Sequence, residues 1–313
     1  MTYVPKVYRK NGGDTQVIAA GGSMIMEPGS FIQWANPTGA ADYFVDGNVS
    51  TTGEGTIDSP FSTLAEAIAA SNISIALTAN RWWARRNRIF CMGDVLDESL
   101  TQLPTKCDVI GLGSYNANTK CGLSGRHSSA AEAYGTRWFN MHFLADAYAA
   151  AIFTLAGANN VAGQEFYSCA FDATLGTVTS GILSTAAHSL KVIGCEFFGP
   201  FATSFISFGT GEAGNAVIKG NDMSGSLGVG VALGVGTTAS WKMLLKDNFI
   251  QCAGLWVDDD ADILYVVNNR AITAVDCATY TAGFDMNLLR ASGNIQTGSN
   301  AGDCDSVPHL LFA

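Results

Sequence analysis

Along its second half the chain repeats one short pattern of apolar and polar positions. An extended apolar segment leads into a small or polar residue, then Cys or Asn, then usually another apolar residue. The clearest copies are Phe166-Tyr167-Ser168-Cys169-Ala170-Phe171, Val192-Ile193-Gly194-Cys195-Glu196-Phe197 and Ile218-Lys219-Gly220-Asn221-Asp222-Met223. Leu245-Lys246-Asp247-Asn248-Phe249, Val266-Val267-Asn268-Asn269-Arg270 and Ala291-Ser292-Gly293-Asn294-Ile295 continue the series. The pivot residues 169, 195, 221, 248, 269 and 294 are separated by 26, 26, 27, 21 and 25 positions. Trp138-Phe139-Asn140-Met141-His142-Phe143 is a weaker copy, 28 positions before Cys169.

The segments alternate with period two and are bounded by Gly, Ser and Asn, so no helical template fits. A repeat of ~25 residues built from short strands predicts a β-solenoid, each coil making three strands and three turns. Coils would stack ~4.8 Å apart, the ordinary strand spacing. Equivalent residues then form columns. Asn221, Asn248, Asn269 and Asn294 are placed to bond amide to amide, with Cys169 and Cys195 continuing the column as small fillers. The predicted fold class is all-β, a parallel β-helix over residues 105–300.

Two zones precede the coils. Residues 1–40 hold short extended runs around Val7-Tyr8-Arg9 and Gln16-Val17-Ile18, separated by Gly12-Gly13, Gly21-Gly22 and Pro28-Gly29. This turn chemistry predicts a short β leader, too thin to bury a core of its own. In residues 41–104, Thr63 and Glu66 have the spacing of a capping box, which predicts a helix start. Leu64, Ala67, Ile68 and Ile73 are its predicted apolar face. The C-terminal residues 301–313 are expected to cover the last coil or dock on a neighbour.

Composition narrows the classes. The chain has 313 residues, of which 48% are hydrophobic and 14% charged, ample for a core and too apolar for a disordered chain. No run approaches the ~20 apolar residues of a membrane span. Net charge is −10, which repels nucleic acid and anionic membranes at long range. The start lacks an apolar signal core, and the eight cysteines show no CxxC or metal-type pairing. They read as reduced thiols of a chain made in a cytoplasm.

Phe44-Val45-Asp46-Gly47, the stretch from Ser59-Pro60-Phe61 through Ala67-Ile68, and Ile89-Phe90-Cys91-Met92-Gly93-Asp94 before Glu98-Ser99-Leu100 carry a resemblance. They resemble the opening segment of right-handed parallel β-helix proteins of the pectate-lyase-like superfamily. That resemblance implies a right-handed coil whose N-terminal end is capped by the helix. Residues 6–32, from Lys6-Val7-Tyr8-Arg9 to Ser30-Phe31-Ile32, resemble the leader of bacteriophage virion proteins such as head fibres, capsid decoration proteins and tailspikes. This second resemblance implies a docking interface at Val7, Tyr8, Arg9, Ile18, Ile25, Phe31 and Trp34, facing other virion proteins of the capsid or tail. A homo-oligomer, with a trimer as the family form, and a host surface glycan as ligand are implied by it alone.

Candidate chemistry is sparse. Glu196 and Asp222 follow consecutive pivots, so their Cα atoms are expected ~5 Å apart, with Asp247 one residue out of line. Such carboxylates suit glycoside cleavage. The competing reading is a set of solvated turn residues compensated by Lys219 and Lys246. Asp258-Asp259-Asp260-Ala261-Asp262 lacks the glycine-spaced loop of a dedicated calcium site. His127, His142, His188 and His309 are far apart, and no cofactor or metal site is expected. Trp82, Trp83, Arg85 and Arg86 read as a subunit contact. Two functions follow: a structural virion module anchored by its leader, which is preferred, or a tailspike-type glycan depolymerase. The first locates the chain to the virion.

Overall fold

The computed structural model describes residues 7–10, 15–18, 40–75, 85–93, 95–113, 121–146, 151–155, 161–176, 178–185, 189–208, 214–224, 241–252, 258–259, 263–273, 279–280, 289–292 and 295–297. The chain divides into two compact units, 1–36 and 37–313. In the first, Val7–Lys10 and Thr15–Ile18 pair antiparallel, Val7 opposite Ile18 and Lys10 opposite Thr15. Ile25, Phe31 and Trp34 lie outside the described residues, as does the 301–313 tail.

The second unit is a parallel β-solenoid. Sheet 1 has ten strands, from Asp42–Asp46 to Leu289–Ser292, and sheet 2 has nine, from Leu96–Asp97 to Ile295–Thr297. Sheet 3 has four: His127–Ser128, Phe153–Leu155, Val178–Ser184 and Phe201–Phe208. Four consecutive turns therefore carry all three strands. Within each turn the chain runs from sheet 1 to sheet 2 to sheet 3, then pairs parallel with the turn before.

Period-two alternation sets what is inside. On sheet 1, Val109, Trp138, Phe166, Val192, Ile218 and Leu245 stack in register and are buried. On sheet 2, Phe143, Phe171, Phe197, Met223 and Ile250 do the same. Phe153 and Ile182 close the coil from sheet 3. Aromatic rings fill the middle turns: Phe171 lies flat on Phe197 at 4.6 Å, and Phe153 meets Phe143 edge-on at 4.7 Å. Both geometries suit the ring quadrupole.

The corner between sheets 1 and 2 explains the small or polar residue before each pivot. Asn140, Ser168, Gly194, Gly220, Asp247 and Asn268 all have positive φ, between 51° and 65°. This left-handed turn costs an ordinary residue ~1–2 kcal/mol, and Gly, Asn and Asp tolerate it best.

Just inside that corner runs the amide ladder. Asn221 Nδ2 donates to Asn248 Oδ1 at 2.9 Å, and Asn248 Nδ2 donates to Asn269 Oδ1 at 2.9 Å. Each amide also donates to a carbonyl of the turn before: Val192, Ile218 and Leu245 at 3.0, 3.0 and 2.9 Å. Each side-chain oxygen accepts a backbone N–H from the turn before, from Cys195, Asn221 and Asn248. All three asparagines are 2% exposed, so these bonds replace water completely. Cys169 and Cys195 occupy the same column. Their thiols donate weakly to the equivalent carbonyls of Trp138 and Phe166, at 3.5 and 3.6 Å. Asn294 lies outside the described residues.

Helix α1, Leu64–Ile75, packs against the first two strands of sheet 1, Asp42–Asp46 and Asn87–Met92. The capping box is formed: Glu66 N donates to Thr63 Oγ1, and Thr63 N donates to Glu66 Oε2. A second carboxylate, Glu98, accepts the N–H groups of Leu64 and Ala65 at 2.5 and 3.0 Å. The helix is tied to the sheet by buried Asn87, whose Nδ2 reaches Ser71 Oγ at 3.0 Å and Ser74 Oγ at 2.7 Å. The apolar face differs from expectation at one position. Ile73 is 79% exposed, and Ile75 is buried beside Leu64, Ala67 and Ile68. Leu64, Ala67, Ile68, Ser71 and Ile75 keep the regular three-to-four-residue helical spacing, whereas Ile73 falls on the opposite side of the helix.

The ladder yields a stability prediction. Asn248→Ala takes one of its two bonds from the Asn221 side-chain amide and removes the side-chain partners of the Asn221 N–H and the Ile218 carbonyl inside the coil, and is expected to cost about 3 kcal/mol in urea unfolding. Cys195→Ala breaks only weak thiol contacts and is expected to cost about 1 kcal/mol. Equal losses would mean the amide bonds contribute nothing beyond packing.

Candidate functional surface

The carboxylates singled out by the repeat stand on the outer face of sheet 2. The column there runs His142, Ala170, Glu196, Asp222, Phe249 and Arg270, one residue per turn. Glu196 and Asp222 are direct register partners, ~4.8 Å apart along the stack. Asp222 is exposed and Glu196 half-buried. Their column neighbours are Ala170 and Phe249, which offer no polar group. Among the described residues neither forms an ion pair. Asp247 sits apart, in the left-handed corner, with its carboxylate 3.9 Å from Lys246 Nζ. Of the expected compensation of these carboxylates by Lys219 and Lys246, the Lys246–Asp247 contact is formed, and Glu196 and Asp222 take no part in it.

His142 begins that same column and is placed against a carboxylate no spacing rule had linked to it. Its Nε2 is 3.1 Å from Asp172 Oδ2, and both side chains are 9% exposed. Thr174 N donates to Asp172 Oδ1 at 2.7 Å, and the Phe198 ring lies 5.8 Å from the imidazole. Burial pushes the Asp172 carboxyl up, but the bonds from His142 and Thr174 outweigh it and hold it below its ordinary range. His127 is inside the coil, 1% exposed, with its ring 4.9 Å from Phe153. Its Nδ1 accepts the Leu100 N–H at 3.4 Å, which leaves the proton on Nε2, an atom without a hydrogen-bond partner among the described residues. Burial pushes His127 down to about 3. His188 and His309 lie outside the described residues, as do Asp260 and Asp262 of the acidic run. Among the described residues no group of three or more His, Cys, Asp or Glu side chains is placed to hold a metal. Among the described residues Cys91, Cys107, Cys121, Cys169 and Cys195 are all buried. No described helix is long and apolar enough to cross a membrane.

The most organised surface is the outer face of sheet 1. One column there runs Asp42, Arg88, Asp108, Arg137, Glu165 and Lys191, with strictly alternating sign. Arg88 grips Asp42 through both Nε and Nη2, at 2.8 and 2.6 Å. Arg137 grips Asp108 in the same way at 2.7 and 2.6 Å. Lys191 Nζ lies 2.8 Å from Glu165 Oε1, whose second oxygen accepts Tyr167 OH at 2.7 Å. Two residues along each strand runs a parallel column of Phe44, Phe90, Ile110, Phe139, Tyr167 and Ile193, all half-buried. Phe44 stacks on Phe90 at 5.2 Å and Phe139 on Tyr167 at 5.1 Å. The Arg88 and Arg137 guanidiniums lie over the Phe90 and Phe139 rings, at 5.5 and 5.7 Å. Both columns then change character: Val217 and Leu244 succeed Lys191, and Lys219 and Lys246 succeed Ile193.

Arg85 and Arg86 are engaged within the chain. Arg85 Nη1 donates to the Ser74 carbonyl in the last turn of α1 at 3.0 Å, and Arg86 Nη1 donates to Asp108 Oδ1 and to the Gly135 carbonyl, each at 2.8 Å. Trp82 and Trp83 lie outside the described residues. The charge column was missed from sequence, although its signal is present: Arg137, Glu165 and Lys191 each fall four positions before Met141, Cys169 and Cys195. Their apolar neighbours fall two positions before. No family model, curated protein or solved structure matches this chain.

The buried imidazole makes stability pH-dependent. His127 titrates near its ordinary 6.5 when unfolded and at about 3 when folded. Between those values the unfolded chain holds the extra proton, so stability falls as pH drops. The loss from this group is expected to be roughly 3 kcal/mol between pH 7 and pH 4. Asp172, held low, adds to the acid loss only as pH falls below 3.8 through its lowered folded value. Glu98 acts in the opposite sense, because burial raises it despite its two backbone bonds. Urea unfolding of His127→Phe at both pH values should show a shallower acid loss. An unchanged loss would mean that the imidazole is not the group responsible.

Proposed function

We propose that this chain is a structural component of a bacteriophage particle, a capsid-decoration or head-fibre-like surface module anchored by its N-terminal leader. The observation that carries the reading is the division of the chain into a small leader unit with an antiparallel hairpin and a solenoid body. The leader's likeness to virion leaders supplies the anchor. A hairpin of four-residue strands is a form that can pair by strand addition with a shell or tail protein. The solenoid supplies a stiff body whose outer charges on sheet 1 are drawn out in a line along the stack rather than gathered round a cleft. In this reading the work of the protein is binding and display.

The alternative is a tailspike-type glycan depolymerase, favoured by the adjacency of Glu196 and Asp222. Side chains that close would suit a retaining mechanism, with one carboxylate as nucleophile and the other as acid. Against it, the flanking Ala170 and Phe249 provide no further polar group to position a sugar.

Deleting residues 1–32 is expected to leave a folded solenoid that is lost from assembled particles, read by circular dichroism and by particle sedimentation. Normal incorporation of the truncated chain would defeat the anchoring role. Incubation of the full chain with host capsule or lipopolysaccharide is expected to release no oligosaccharide. Release that is abolished by Asp222→Asn would establish the depolymerase instead.

A further inference from the structure

The six-residue charge column on sheet 1 reads − + − + − + along the stack, from Asp42 to Lys191. Pairing of neighbours inside one chain explains the alternation, since like charges directly opposite on adjacent strands repel. It does not explain why a full column of half-buried rings and aliphatic chains lies open beside it over the same six turns. The two columns together have a symmetry property. A six-member alternating series is converted into its opposite when its order is reversed.

We propose that this face is a self-complementary interface, and that two copies of the chain dock through it with their solenoid axes antiparallel. A two-fold axis lying in the interface and parallel to the strands reverses the order of turns but keeps each column over its own copy. Asp42 then faces Lys191 of the second copy, Arg88 faces Glu165, and Asp108 faces Arg137, each twice. The apolar column meets itself in the same reversed order, with Phe90 over Tyr167 and Ile110 over Phe139. A parallel two-fold arrangement, with the axis along the solenoid, instead lays the charge column on the apolar one and desolvates charges without partners. Four of the six charged side chains remain accessible for a second contact, 37% exposed at Asp42, 48% at Arg88, 35% at Arg137 and 39% at Lys191, while Asp108 and Glu165 are more enclosed, at 13% and 19%, so the outermost Asp42–Lys191 pairs carry most of the contact. The face spans five strand steps, about 24 Å, but only two columns in width, so the contact is expected to be weak and reversible. The interface is isologous and closed, so it yields a dimer and not a fibre. This inference is independent of the proposed virion role.

Sedimentation equilibrium of the full chain tests it, with a dimer dissociation constant expected on the order of 10 μM. Lys191→Glu sets two carboxylates against each other across the interface, and Asp42→Lys sets two cations. Each is expected to weaken the dimer about tenfold or more. The double variant restores opposite charges between copies and is expected to return to within about threefold of the parent. Within one chain these two residues are about 24 Å apart, so the internal ladder offers no route to such rescue. Thermal melts of the same variants should show only additive losses. Separately, Phe90→Cys combined with Tyr167→Cys is expected to form a covalent dimer with a short thiol crosslinker, because these positions lie about 14 Å apart within a chain but opposite each other between copies. A monomer at ten times that concentration, a trimer, absence of rescue in the double variant, or no 90–167 crosslink would each overturn the proposal.

Discussion

Stacking equivalent residues one strand spacing apart is the constraint from which the rest of this structure follows. Once turns are held about 4.8 Å apart in register, every residue meets a near-copy of itself above and below. Whatever is placed in a column must tolerate its own kind as neighbour. Flat aromatic rings do, as Phe171 on Phe197 and Phe139 on Tyr167 show. Primary amides do, because each has a donor and an acceptor to pass along the stack. Single charges do not, and the outer column of sheet 1 alternates in sign accordingly.

The same constraint accounts for the corners. A coil that turns sharply between sheets 1 and 2 needs one residue in the left-handed region on each turn, and the chain supplies Asn, Ser, Gly, Gly, Asp and Asn there. The turn leaves backbone groups pointing inward, where no water can satisfy them. Asn221, Asn248 and Asn269 answer that need. Each bonds a carbonyl and an N–H of the preceding turn, so the ladder repairs the corner as well as linking the turns. Cys169 and Cys195 make only the weaker half of this contact, to the equivalent carbonyls, where the interior is most aromatic.

Functionally, a solenoid offers faces more readily than clefts. Its outer columns are straight, evenly spaced and stiff, which suits recognition of another regular surface. Among the described residues, the acidic pair on sheet 2 and the His142–Asp172 pair lie on one such face without further polar side chains gathered beside them. Sheet 1 carries the denser arrangement, in which charge and apolar area run side by side over six turns. The proposed roles of anchoring leader and display body would fit this division, since a rigid body suits a protein that works by contact.

Much of this was written locally. Period-two alternation, the spacing of the pivots and the small residue before each one determine the coil, its register and the amide ladder, because these depend only on which side of a strand a residue faces. Thr63 and Glu66 likewise mark the helix start, since a capping box closes within one turn. Other features needed the assembled stack. Glu98 comes to the N-terminus of α1 from over thirty residues away, and His142 finds Asp172 on the next turn. The charge column joins Asp42 to Arg88 and Arg88 to Asp108 across separations of 46 and 20. Those unequal intervals are the physical reason. How many residues each turn spends in its loops varies, and that number decides which outward side chains meet, while local patterning records only that they face outward.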